Sequence, residues 1–396
     1  MEKTTKKSQY RFGSVPGAIL SIAIGFFFYL ILSVLNGSHR FFNYNNIISH
    51  ITSSFPKQIM WFFMNFTEAQ FYASFFAGIG LIFGAILAWA LARNHAKSKG
   101  FEICYGNAFL LPWVLASQLI SLALAMFVFR YIDLFNHSSI TWVATFISVV
   151  GAPPAVMLLY GPSPSALFTS SILGGLLCPP VATWISQFLT SPWKLPGVVA
   201  NVSAMAITGI IICVLCNVLP WVKKHPVQTL NSETSSSDNV YSAKWFVRRV
   251  FADFSEAPFY GNEVASIFLL VGVVVGAAIC SNHSAYGSGA LPAIILSQFI
   301  SSTVGVFLYT QKFDNSGWYA TYVPVVSVAP ACVLMFGATI PVALFSGVIG
   351  GILGAPVAEY LATKLPDYIH ITVANVTSMA ICTTVVVTIM RILPWF

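Results

Sequence analysis

Charge is what this sequence has least of: 8% of its 396 residues are Asp, Glu, Lys or Arg. A soluble domain carries about 25% to keep its surface hydrated. A chain this poor in charge cannot cover itself with water, so a soluble globular protein is excluded and lipid must be the solvent for most of its surface. The sequence also lacks any HExxH pair, Gly-rich phosphate loop or GxSxG turn, which removes the usual signs of metalloprotease, nucleotide-driven or serine-hydrolase chemistry. No catalytic residue, metal site or cofactor is expected, and fuelling by ATP within the chain is not expected. The seven cysteines (104, 178, 213, 216, 280, 332 and 382) lie mostly inside apolar runs. They have neither zinc-ligand nor disulfide-framework spacing, and Cys213 with Cys216, a lone CxxC inside an apolar stretch, reads as small apolar filler. The formal charge of +7 comes from 19 scattered basic residues. They form no phosphate-tracking stripe, so nucleic acid is not an expected partner.

What is present is apolar length. The composition is 57% hydrophobic, with 33 Phe. A helix needs about 20 mainly apolar residues to cross a bilayer. By that rule the sequence predicts about 11 transmembrane helices, at 14–35, 70–93, 108–129, 139–160, 163–186, 195–221, 262–280, 289–309, 319–340, 341–363 and 368–394. The run after Lys3, Lys6, Lys7 and Arg11 is too long for a signal-peptide core and reads as an uncleaved first helix. Stretch 222–258 is polar, and its part Leu230–Asn239 reads as a flexible tether. Tyr241 to Phe254 reads as an amphipathic surface helix with Lys244, Arg248 and Arg249 on its polar side. With the N-terminus inside, the predicted inner segments hold 14 basic residues and the outer ones 5. The positive-inside rule favours that orientation in a cell (inner or plasma) membrane.

The halves of the sequence match. Phe66-Thr-Glu-Ala-Gln-Phe-Tyr72 recurs as Phe254-Ser-Glu-Ala-Pro-Phe-Tyr260, and Ser117-Gln-Leu-Ile-Ser121 as Ser297-Gln-Phe-Ile-Ser301. Trp142, Ala144, Thr145 and Pro154 recur as Trp318, Ala320, Thr321 and Pro330. Gly174-Gly175 and Pro180 recur as Gly350-Gly351 and Pro356, and Asn201-Val-Ser-Ala-Met-Ala-Ile207 as Asn375-Val-Thr-Ser-Met-Ala-Ile381. The order is kept throughout, which chance likeness between greasy helices would not produce. Five spans per copy is an odd number, so the second copy must enter the membrane from the opposite side. The flanking charge agrees: loop 94–107 holds Lys97 and Lys99, while 281–288 holds no basic residue of that kind. The expected architecture is an all-α polytopic membrane protein, one N-terminal helix plus two inverted five-helix repeats. The divisions fall at 1–56 (tail, first helix and external loop), 57–221 (repeat 1), 222–242 (linker) and 243–396 (repeat 2).

Inverted repeats are a recurrent design of secondary transporters, with the solute site near mid-membrane between the repeats. The expected function is therefore movement of a small polar solute by alternating access, coupled to Na+ or H+ or uncoupled. The alternatives are a passive channel and a non-transporting membrane protein or intramembrane enzyme. The partners implied are a small-molecule solute, the lipid bilayer and a coupling ion, and a homo-oligomer is compatible with the sequence. The five-plus-five plan resembles that of several transporter folds, urea transporters among them. Their Leu-Pro-x-x-Thr-x-Pro-Phe signature is absent: Leu111-Pro-Trp-Val-Leu and Leu291-Pro-Ala-Ile-Ile share only its first two residues. No site residue carries over.

The candidate solute-binding residues are polar groups at depth. Gln118 and Gln298, with Ser117 and Ser297 beside them, fall mid-span, where an amide must find a partner, either a solute or a neighbouring helix. Asn201 and Asn375 open the last helix of each repeat and serve either a polar solute, a sodium ion or a structural cap. Pro153, Pro154, Pro180, Pro330 and Pro356 are expected to break helices and free carbonyl groups for a ligand. Glu359 is the one carboxylate well inside a predicted span and the candidate coupling group, with a headgroup-level position as its alternative. Glu68 and Glu256, following Thr67 and Ser255, read as acids at helix caps.

Overall fold

The computed structural model describes residues 11–35, 43–137, 140, 142–226, 239–280 and 283–396, and no strand occurs among the described residues. Of the tether expected at 230–239, all but Asn239 lies outside them. Eight described helices are long and apolar enough to cross a membrane, and the chain is an integral, multi-pass helical membrane protein. In chain order the main elements are α1 (Val15–Leu35), α2 (Phe55–Met64), α3 (Phe75–Arg93), α4 (Ala108–Val128), α5 (Ile147–Tyr160), α6 (Pro164–Thr190) and α7 (Gly197–Val218). They continue as α8 (Ala243–Asp253), α9 (Glu263–Ile279), α10 (Leu291–Ser316), α11 (Pro324–Phe336), α12 (Ile340–Ala362) and α13 (Thr372–Ile392).

Three of the expected spans hold apolar helices of fewer than 18 residues. The spans read at 139–160 and 319–340 are helical only from Ile147 and Pro324 onward, and that at 262–280 shortens to Glu263–Ile279. The cause in the first two is a tight turn ahead of the helix. The Thr145 N–H bonds the Val143 carbonyl at 2.9 Å, and the Thr321 N–H bonds that of Tyr319 at 2.8 Å. Each threonine hydroxyl is then drawn sideways, Thr145 to Asn65 Oδ1 at 2.7 Å and Thr321 to Asp253 Oδ1 at 3.0 Å. An i to i−2 bond cannot continue a helix, so the chain enters α5 and α11 from an irregular segment.

The direction of the neighbours shows what these broken segments accomplish. A Cβ on Gly175 would lie 2.7 Å from the Ser121 carbonyl, and the Ser171 hydroxyl bonds the Ser117 carbonyl at 3.4 Å. Residue numbers rise together, so α4 and α6 run parallel. Gly347 and Gly351 meet the Ser297 and Ser301 carbonyls in the same way, making α10 and α12 parallel too. Consecutive long helices run parallel only if the chain between them returns to the starting side.

Helices α3 and α9 bring their backbones together at glycines. A Cβ on Gly80 would lie 2.3 Å from the Phe268 carbonyl oxygen, one on Gly272 2.4 Å from that of Phe76, and one on Gly84 2.9 Å from Ala265 Cα. As one residue number rises the other falls, so this pair is antiparallel. Glycine at these positions lets dispersion contacts and the backbone itself hold helices that gain nothing from excluding water in lipid. Outermost is α1, which buries only Gly17, Ser21, Gly25 and Leu32 and leans on α10 through Phe28 stacked on Phe299.

The helix expected at Tyr241–Phe254 forms at Ala243–Asp253 but is not the surface helix the sequence suggests. Lys244 is exposed, whereas Arg249, Trp245 and Phe246 are buried. Its polar stripe turns inward because the carboxylates it needs are inside.

Substituting Gly80 by Val should cost about 1–3 kcal/mol or more by overpacking against backbone that cannot yield. Gly197→Ala, at a site with nothing near a new Cβ, should leave stability unchanged. Thermal unfolding in detergent micelles checks both.

Candidate functional site

The repeated block Phe66–Tyr72 does not start a helix. After α2 the chain makes a short 3-10 turn, Asn65–Thr67, and then leaves helical geometry, with Phe71 and Ala73 at positive φ. The Thr67 hydroxyl clips this break shut: it donates to the Ser74 carbonyl at 3.2 Å and accepts the Ser74 N–H at 3.0 Å. The second copy is built alike. Ser255 donates to the Asn262 carbonyl at 2.9 Å and accepts its N–H at 3.0 Å, with Phe259 and Gly261 at positive φ. The helix caps are Ser74 and Asn262, whose side chains accept from the first turns of α3 and α9. This corrects the reading of Thr67-Glu68 and Ser255-Glu256 as caps. The glutamates instead occupy the interruptions, 2% and 1% exposed.

Gln118 and Gln298 hold these interruptions together across the molecule. The Gln118 amide donates to the Pro258 carbonyl at 3.0 Å and accepts the Tyr260 hydroxyl at 2.9 Å. Reciprocally, Gln298 donates to the Gln70 carbonyl at 3.0 Å and accepts the Tyr72 hydroxyl at 2.7 Å. Each glutamine of one sequence copy thus satisfies the broken backbone of the other. Ser117 and Ser297 bond the carbonyls three residues back, both at 2.7 Å. None of these four faces a cavity.

The prolines divide in the same way. Pro153 and Pro154 begin the second part of α5, past the turn at Gly151, and Pro330 sits in the first turn of the helical part of α11. Both helices are interrupted just ahead of these prolines, at Gly151 and at Ser327. Pro180 and Pro356 lie inside continuous helices, and each obstructs the carbonyl four residues back. Those two carbonyls take protein partners: the Tyr131 hydroxyl reaches Leu176 O at 2.7 Å and Tyr309 reaches Ile352 O at 2.6 Å. They are not left free for a ligand. Glu359 lies near the end of α12 in a half-open pair with Lys312 at 2.6 Å, and also accepts from Tyr319 at 2.8 Å.

A cavity of about 360 Å³ opens between α7 and α13. The first copy contributes Glu68, Phe71, Trp142, Phe146, Asn201 and Met205 to its wall, and the second Tyr286, Tyr322, Thr372, Val376 and Met379. Asn201, alone among the expected binding residues, faces this space. Its side chain makes no hydrogen bond to the described protein and is free to meet a solute. Asn375 donates to the Tyr322 hydroxyl at 3.0 Å, while its carbonyl oxygen has no described partner. It lines a smaller space of about 190 Å³ together with Trp318, Tyr319 and Glu359.

The two glutamates differ in the charge they meet. Arg249 binds both Asp253, at 2.5 Å, and Glu256, and the Trp318 indole also donates to Glu256. In this buried network Arg249 meets both acids through Nη2, while its Nε has no described partner. In the first copy Trp61 stands where Arg249 would be, its indole donating to Thr145 at 3.1 Å, and Asn65 replaces Asp253. Among the described residues no cation pairs with Glu68. The Tyr286 hydroxyl donates to Oε2 at 2.9 Å, and Oε1 has no hydrogen-bond partner. The Trp142 indole faces the carboxyl without a hydrogen bond of normal geometry.

Sequence reasoning missed Tyr286, Trp142 and the Arg249–Asp253 pair as parts of a site. One signal was present. Cys104-Tyr-Gly106 and Ala285-Tyr-Gly287 share a left-handed turn at matching residues and send their tyrosines to Glu256 and Glu68, Tyr105 to the backbone carbonyl of Glu256 at 3.4 Å and Tyr286 to the carboxylate.

Removing one partner of a buried ion pair leaves its mate uncompensated, at about 3–5 kcal/mol. Arg249→Met should lose that much stability in thermal unfolding. Lys312→Met at the half-exposed pair should lose less than about 1 kcal/mol after solvent screening. Comparison of the chain with family models, with curated proteins and with solved structures finds no match.

Proposed function

We propose that this chain is a secondary transporter of the cell membrane that moves a small polar solute by alternating access between two inverted repeats, with α1 outside them. The observation that carries the reading is the cavity between α7 and α13, walled by both sequence copies and presenting a buried carboxyl and an unengaged amide. Most ligand sites are concave, mainly apolar, and carry a few convergent polar groups, and transporters place theirs where the repeats meet.

Inversion is supported by the antiparallel course of α3 and α9, which occupy matching places in the two copies. A full crossing by each broken segment is supported by the parallel pairs α4–α6 and α10–α12. On this reading the chain crosses about 11 times, with the N-terminus in the cytoplasm. Coupling to Na+ or H+ is part of the proposal, and Glu359, fixed by Lys312, is a weaker candidate for it than a group in the cavity.

Two measurements test this. Single cysteines replacing Lys97 and Ser288 should react with an impermeant maleimide from opposite faces of the membrane, and labelling from one face would remove the inversion. The native cysteines are buried, so background labelling should be low. In proteoliposomes the protein should accumulate its solute above the outside level under a sodium or proton gradient, whereas a channel only equilibrates. Asn201→Leu should cut uptake at least tenfold while leaving the melting temperature in place.

A further inference from the structure

We infer that the solute accepted by the cavity is a small organic monocation, an amine or guanidinium, whose charge is met by Glu68. The inference rests on the cavity being the solute site. Glu68 is 2% exposed, lines the cavity, and has one oxygen engaged by Tyr286 and the other unpartnered. A carboxylate withdrawn from water this far is stable only with a counter-charge or a proton. The matching glutamate of the second copy indicates which counter-charge the fold accepts. Glu256 is neutralised by the Arg249 guanidinium, which also lies 5.4 Å from the centre of the Phe313 ring and 6.0 Å from that of Phe101.

Around Glu68 the resident guanidinium is gone, because Trp61 occupies its sequence position, and the space beside the carboxyl is open. Tyr44, Phe71, Trp142, Phe146, Tyr286 and Tyr322 wall that space, and aromatic faces attract a desolvated cation. One carboxylate with no second acid matches one positive charge. Asn201 provides a carbonyl acceptor for a further N–H and an amide donor for a hydroxyl. A divalent metal ion fits poorly, since it would need several oxygen ligands and the wall is chiefly aromatic.

The test uses purified full-length protein and isosteric pairs: guanidinium with urea, propylammonium with propanol, and phenethylammonium with 2-phenylethanol. Binding is read by ligand-induced thermal shift and by tryptophan fluorescence titration. At least one cation should bind tenfold or more tightly than its neutral isostere. Glu68→Gln, which keeps the acceptor for Tyr286, should abolish that preference without weakening the neutral partner, and Glu359→Gln should preserve it. Equal binding within all three pairs, no binding by any cation, or a preference that survives Glu68→Gln overturns the inference. Proteoliposome uptake separates it from the transport reading. Uptake of neutral solutes that no cation inhibits leaves transport standing and overturns the cation site. Glu68-dependent cation binding without uptake keeps the site and removes transport.

Discussion

In hydrocarbon a broken backbone has no water to turn to, so each interruption of a helix must be repaired by protein. The architecture follows from how this is done. Both copies break at the same two places, after the first helix of the copy and ahead of the short helices α5 and α11. The breaks are joined to one another through Thr145 with Asn65 and Thr321 with Asp253. The glutamines then cross to the opposite copy, so that neither set of breaks is satisfied without the other. Breaking the helices creates room for a cavity, and the crossed bonds keep that room from collapsing into lipid.

Against this matched framework the charges are unequal. The second copy carries Arg249, Asp253 and Glu256 in one buried ion network. The first keeps only the glutamate and replaces its companions by Trp61 and Asn65. The matched hydrogen-bond geometry, with one cation fewer, leaves the Glu68 carboxyl with Tyr286 as its one described hydrogen-bond donor.

The membrane class was legible from charge scarcity alone, and the recurring Gln, Tyr, Thr and Gly positions pointed to the residues that organise the interior. Their roles were less legible. Gln118 and Gln298 lie inside α4 and α10, but only the fold reveals that their partners are Tyr260 and Tyr72 in the other half, about 140 and 230 residues away in sequence. Hydropathy overcounted continuous helix at 139–160 and 319–340, because an apolar run is equally apolar when it turns. The reading of Glu68 as a cap failed because a Thr-Glu pair before an apolar run has the local signature of a capped helix. The true caps, Ser74 and Asn262, stand seven residues beyond Thr67 and Ser255.

The contact of Gly175 with the Ser121 carbonyl, and of Gly351 with that of Ser301, has a mechanical consequence. Helices whose backbones touch cannot ratchet past one another, since each step would press a side chain into a peptide group. Sliding is thereby removed from the repertoire of α4 on α6 and of α10 on α12. Any change of shape must rotate each pair as a solid block, pivoting on the non-helical chain that leads into α5 and α11.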